Sequence, residues 1–92
     1  MQKVAMRRTK FLEELKEYIS KSAQYKNIEV TANSIYFMIK QNPVITHKQR
    51  SYIKILKEIK KMLSSDFGWS MIEIHKCFCT LNSLTNTIKN ST

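Results

Sequence analysis

Apolar residues recur along the chain at spacings of three and four, the period of an amphipathic helix, in separate stretches. The clearest stretch is Thr46 to Leu63, THKQRSYIKILKEIKKML. On a wheel of roughly 100° per residue, Tyr52, Ile55, Leu56, Ile59, Met62 and Leu63 gather on one side. Leu56 and Ile59 lie at the centre of that expected buried face. His47, Arg50, Lys54, Lys57 and Lys61 fall within an arc of roughly 80°, centred about 165° away. One helix therefore carries an apolar face and a cationic face.

The opening segment reads as a helix over about 3–25, with Phe11, Leu12, Leu15, Tyr18 and Ile19 turned inward. Its start has two readings. Either the helix begins near Gln2 and Val4 joins the stripe, or Thr9 caps it, with Glu13 and Glu14 in the early turns. The second reading leaves residues 1–8 as a flexible basic arm carrying Lys3, Arg7 and Arg8. Tyr25 to Glu29 loses the period and reads as a connection. A second helix over about 32–42, capped by Thr31 or Asn33, turns Ile35, Met38 and Ile39 inward. It stops at Asn42, because a residue preceding proline is pushed out of the helical region. Thr46 with Gln49 then makes a capping box for a third helix over about 47–65. Gly68 supplies the chain reversal that follows. Ser70 with Glu73 makes a second capping box, and Trp69 and Ile74 take the staple positions around it. Met71, Ile74, Phe78, Leu81 and Ile88 keep helical spacing to about 89, and Lys89 to Thr92 are expected to fray.

Composition narrows the class. Ninety-two residues make one small domain, residues 1–92, with no room for a second core. A hydrophobic share of 42% is enough for that core and argues against wholesale disorder. The single glycine and single proline argue against a turn-rich β fold and exclude a glycine-rich phosphate loop. The expected fold is all-α, a small compact bundle of about four helices. No run approaches the ~18–20 apolar residues of a membrane span. The opening MQKVAMRR shows no apolar core with a cleavage site, so no secretory signal is expected. Cys77 and Cys79 point about 200° apart on a helix and cannot bridge within it. Free thiols fit a reducing, cytoplasmic setting.

The formal net charge of +9 favours a polyanionic partner, although the same excess also keeps a small protein soluble. Glu58 is the single acid in the Thr46–Leu63 stretch, so few neighbours neutralise its lysines. Lysines one turn apart can follow a phosphate backbone. With only Arg7, Arg8 and Arg50 available, bidentate base readout is limited and sequence preference should be weak. The candidate contact residues are Arg50, Lys54, Lys57, Lys61, His47 and Lys48, with Arg7 and Arg8 as a second basic patch. Little supports catalysis. Glu13, Glu14 and Glu17 cluster on the first helix, but Lys10, Lys16 and Lys21 are placed to neutralise them. His75 and Cys79 share a helix face while Cys77 points away, a poor ligand set for a metal. No catalytic residue, metal, cofactor or small-molecule substrate is expected.

Ser34 to Gln49, SIYFMIKQNPVITHKQ, resembles the opening of a winged helix-turn-helix domain: a helix, Asn-Pro, then a capped second helix. Ile72 to Lys89 is similar to a helix-turn-helix motif through Glu73, Ile74 and Phe78. There Cys79 replaces the turn glycine and Leu84 is one position out of register, so a continuous helix is the simpler reading. A Thr-capped helix followed by Gly68–Trp69 is similar to the later part of some pediocin-like bacteriocin immunity proteins, which are basic four-helix bundles. The expected function is non-enzymatic nucleic-acid binding by the cationic helix face. Lys-, Ile-, Asn- and Ser-rich usage suits an AT-rich genome and an accessory or regulatory role in a phage or plasmid. The alternative is a protein-binding module, of immunity or inhibitor type, that meets an acidic surface. Membrane-surface docking is disfavoured, because the core needs the apolar face of the third helix.

Overall fold

The computed structural model describes the backbone of residues 2–42 and 49–91 and the side chains of residues 10–42 and 52–85. Four helices follow one another: α1 (Gln2–Gln24), α2 (Ile28–Lys40), α3 (Gln49–Phe67) and α4 (Met71–Ser91). Of the two starts open to the first helix, α1 takes the earlier. α1 packs on α2 and α3, and α4 packs on the same two. Consecutive α2 and α3 do not meet among the described residues, so they lie across the bundle from each other. The radius of gyration, 12.8 Å, is close to the ~12 Å expected of a globular chain this long. The fold is an all-α, compact four-helix bundle.

The α1–α2 turn explains why α2 starts about a turn before the sequence pattern predicts. Lys26 takes a left-handed conformation with φ of 56°. Its amide donates to the Ala23 carbonyl (3.0 Å), and the Asn27 amide donates to the Ser22 carbonyl (2.8 Å). This is a Schellman closure with lysine at the position that usually takes glycine. Asn27 is the cap of α2, its side chain accepting from the Val30 amide at 3.2 Å. The expected caps do other work. Thr31 is buried within α2 and donates from Oγ1 to Ser22 Oγ at 3.1 Å, while Ser22 Oγ donates to the Ile19 carbonyl. Asn33 is exposed and donates from Nδ2 to the Glu29 carbonyl. α2 ends at Lys40 with Gln41 as its cap, short of the expected Asn42. Thr46, and with it the first capping box, lies outside the described residues.

The α3–α4 turn follows the sequence reading closely. α3 runs to Phe67, two residues beyond its expected end. Gly68 has φ of 67°, where a side chain would be strained, and the Trp69 amide closes the helix end on the Leu63 carbonyl at 2.9 Å. Ser70 Oγ accepts from the Glu73 amide (3.2 Å), and Glu73 Oε1 accepts from the Ser70 amide (2.7 Å). Both halves of the capping box are made. Trp69 is buried, and its indole Nε1 donates to the Ala23 carbonyl at 2.8 Å. Lys26 and Glu73 pair at 3.6 Å between the same two turns, and Lys16 of α1 pairs with Asp66 of α3 at 3.2 Å.

The core is built from Phe11, Leu15, Ile19 and Ala23 of α1, then Ala32, Ile35 and Ile39 of α2. Ile55, Ile59, Met62 and Leu63 of α3 join Cys77, Phe78 and Leu81 of α4 and the turn residue Trp69. Two residues expected inside are outside. Tyr18 is 53% exposed because the α1 stripe runs through Phe11, Leu15, Ile19 and Ala23, about 100° from it. It stacks on Phe37 of α2, with ring centroids 6.4 Å apart. Met71 opens α4 and is 86% exposed. Ile55 and Ile59, rather than Leu56 and Ile59, hold the centre of the α3 face, and Leu56 is half-buried. Ile88 lies beyond the described side chains. No helix among the described residues is long and apolar enough to cross a membrane.

Burial sets the first expected outcome. Ile59→Ala should cost about 2–5 kcal/mol in urea unfolding. Leu56→Ala should cost less, because part of its surface already faces water; equal losses would contradict this packing. The capping box sets the second. The Ser70 amide bond, ahead of the nearby Lys26 charge, holds the Glu73 carboxyl below its ordinary 4.5. A carboxyl depressed on folding stabilises the fold above its unfolded pKa and loses that contribution as pH falls through the folded value. The urea midpoint of Glu73→Gln should therefore lie below that of the wild type at pH 7. The gap should close as pH falls below about 4.5, where Glu73 protonates.

Candidate nucleic-acid interface

Along α3 the buried positions Ile55, Ile59, Met62 and Leu63 fix the opposite ridge as solvent-facing. Lys54, Lys57 and Lys61 stand on that ridge and are exposed. At a rise of about 1.5 Å per residue they span roughly 10 Å of helix axis. None has a carboxylate within ion-pair reach among the described residues. Of the acids of α3, Glu58 is exposed without an ion pair among the described residues, and Asp66 is held by Lys16. Arg50 belongs to α3, and Arg7 and Arg8 belong to α1, but their side chains lie outside the described residues. His47 and Lys48 lie outside them altogether.

Lys60 is a cation of α3 beyond the predicted arc. Its ammonium sits 5.0 Å from the ring centroid of Phe78 on α4, a cation–π contact at the α3–α4 seam. The signal was present in sequence only as one more lysine, since the ring belongs to another helix. Ile53, also on α3, is 46% exposed, so a large apolar side chain stands on the same helix as the lysines. On α1, Lys10, Lys16 and Lys21 are matched by Glu13, Glu14 and Glu17, while Lys3, Arg7 and Arg8 have no acid to offset them on that helix. The expected pairing of Lys16 with those acids is replaced by its bridge to Asp66. α3, with five cations against Glu58 and Asp66, has the same excess of three as α1, so these two helices share most of the positive charge.

α4 separates its two cysteines as the helical spacing predicts. Cys77 is buried against the core, and desolvation pushes its thiol up to about 12. Cys79 is exposed, with its Sγ 3.5 Å from Nε2 of His75. No group of three or more potential metal ligands occurs among the described residues. An open groove runs beside this pair, lined by Lys26, Asn27, Ile28 and Glu29 on one side and by His75, Lys76, Cys79 and Thr80 on the other. Tyr52, half-buried on α3, has its phenol raised by the same loss of water.

No protein-family model, curated protein or solved structure matches the chain. α4 is helical without interruption from Met71 to Ser91, so the likeness of Ile72–Lys89 to a helix-turn-helix is not realised as a turn. Ser34–Gln49 includes residues outside the described set.

The geometry of the α3 ridge predicts that its lysines are dispensable to folding. Lys54→Gln, Lys57→Gln and Lys61→Gln combined should keep full helicity and melt at the wild-type temperature or slightly higher, because self-repulsion falls. A clear loss of melting temperature would mean that these side chains support the bundle.

Proposed function

We propose that the chain is a small non-enzymatic nucleic-acid-binding protein that lays the lysine ridge of α3 along a phosphate backbone. The observation that carries this reading is the row Lys54, Lys57 and Lys61: exposed, on one side of one helix, and without acidic partners among the described residues. Each lysine that meets a phosphate displaces a condensed counterion, so binding draws on counterion release rather than on base contacts. Arg50, His47, Lys48, Arg7 and Arg8 are candidate extensions of that contact. Lysine is a point charge without the planar fork that reads guanine, so preference among sequences is weak. The two free cysteines suit a reducing cytoplasm, and an accessory or regulatory role in a phage or plasmid fits a protein of this size and charge.

A second reading is favoured by the exposed Tyr18–Phe37 stack, which is surface that protein partners commonly use. It makes the chain a protein-binding module of immunity or inhibitor type, docking on an acidic partner. The two readings separate in one titration. Four or five phosphate contacts imply that log K falls with log salt at a slope of about −4. That is on the order of a hundredfold between about 50 and 200 mM salt. The Lys54/Lys57/Lys61→Gln variant should reduce the slope by about 3 while keeping its fold. No binding of duplex or single-stranded nucleic acid at low salt ends the first reading. Nuclease-resistant capture of an acidic protein, lost in Tyr18→Ala, favours the second.

A further inference from the structure

We infer that the outer face of the α1–α2 hairpin docks a second copy of this chain, independently of what the α3 ridge binds. Of the seven large apolar side chains exposed among the described residues, four gather on this face. Tyr18 on α1 and Tyr25 just past its end are seven residues apart, and so are Val30 and Phe37 on α2. Two helical turns separate the members of each pair, so each pair stands on one side of its helix. Tyr18 and Phe37, stacked on each other, fill one end of the strip, and Tyr25 and Val30 flank the turn at the other. Lys16, which reaches Asp66 of α3, is two residues and about 200° from Tyr18, so the strip faces away from α3.

Charge selects the occupant. Glu14 and Lys21 border the strip on α1, and Glu29 and Lys40 border it on α2. All four are exposed, and none is in an ion pair among the described residues. Their charges cancel in a chain of net charge +9. Two copies therefore meet here without the repulsion that the lysine ridge would impose, and an acidic partner finds no net attraction. The signs also complement themselves. A two-fold axis across the middle of the strip lays one hairpin antiparallel on the other, with Glu14 against Lys21 of the second copy and Glu29 against its Lys40. The face is two helices wide, about 10 Å each, over about 18 Å of axis. That is roughly 400 Å² in projection, below the ~800 Å² per partner of a standard interface, so the dimer is a weak one. It leaves both α3 ridges open, because α3 does not meet α2 among the described residues.

The test is sedimentation equilibrium of the nuclease-treated whole protein from about 10 to 1,000 µM, where weak interfaces are populated. A monomer–dimer equilibrium should appear and tighten as salt rises from about 50 to 300 mM, because screening eases repulsion between the two cationic chains. Nucleic-acid binding by α3 weakens over the same range, so the two readings fail separately. Tyr25→Ser and Phe37→Ser should each raise the dissociation constant by about tenfold or more. Tyr25 is 76% exposed, so its variant keeps the test decisive if Phe37→Ser loosens α2. Glu14→Lys should weaken the dimer, and adding Lys21→Glu should restore it. The two positions are about 10 Å apart along one helix, so the rescue acts across the axis. Adding Lys57→Glu instead, which returns the same net charge on α3, should not restore it. A monomer at every concentration, a dimer indifferent to Tyr25→Ser, or rescue by Lys57→Glu as good as by Lys21→Glu would overturn the inference. An acidic protein seated on this face in place of a second copy would also overturn it.

Discussion

The indole of Trp69 donates to the carbonyl of Ala23, and that bond joins the α1–α2 turn to the α3–α4 turn. Ala23 sits in the last turn of α1, where carbonyls have no partner within the helix. Ala23 is fully buried, and its carbonyl accepts from the Lys26 amide at 3.0 Å as well as from the indole. The group that depends wholly on this bond is the indole N–H, and a buried donor left without an acceptor costs about 1–3 kcal/mol, a sizeable fraction of the stability of so small a domain. The bond also specifies position. Trp69 lies between Gly68, whose left-handed backbone ends α3, and Ser70, whose hydroxyl starts α4. Fixing the indole therefore fixes where one helix stops and the next begins. The Lys26–Glu73 pair joins the same two turns from the surface side.

This anchoring determines which surfaces are left for binding. α1 and α4 each pack between α2 and α3, so α3 buries the face that carries Ile55, Ile59 and Leu63 and turns the opposite ridge outward. A more even distribution of lysines would stabilise the fold, since like charges on one ridge repel. Of the two acids on α3, Asp66 is engaged by Lys16 and Glu58 makes no ion pair with the ridge among the described residues. Concentrated charge on a rigid helix, held apart from the core, is a cost to folding that an anionic partner would relieve.

Local signals were legible in the sequence, and cross-helix ones were not. The Ser70–Glu73 box and the Gly68 reversal involve residues three or fewer apart, so type and spacing suffice to identify them. The lysine arc of α3 is equally local, and the side chains of Lys54, Lys57 and Lys61 lie where the wheel puts them. Asn27 escaped notice because Tyr25 to Glu29 breaks the apolar period, although its amide side chain is a good cap. Thr31 was misread for the converse reason. Its hydroxyl suits a cap, but its partner is Ser22, nine residues back on the neighbouring helix. Tyr18 and Met71 show a further limit: periodicity marks a face without saying how far along it a neighbour reaches. The α2–α4 groove was invisible, since it joins residues 26–29 to residues 75–80 and no pattern spans that gap.

The two cysteines put the same point in terms of environment. A shift of two positions on a helix turns a side chain through about 200°, enough to carry a sulfur from the core to water. Cys77 lies among apolar side chains, where a thiolate would lose its hydration with nothing to replace it, and its thiol rises to about 12. Cys79 faces solvent with an imidazole in reach, Lys76 on its own wall of the groove and Lys26 on the other. Residue type is identical, so the difference in chemistry comes wholly from which way the helix turns each sulfur. That rotation is set by the burial of Phe78 and Leu81 and by the start of α4 at Ser70. The hydrogen bond from Trp69 to Ala23 thus reaches, through the register of α4, to the exposure of a thiol ten residues beyond the indole.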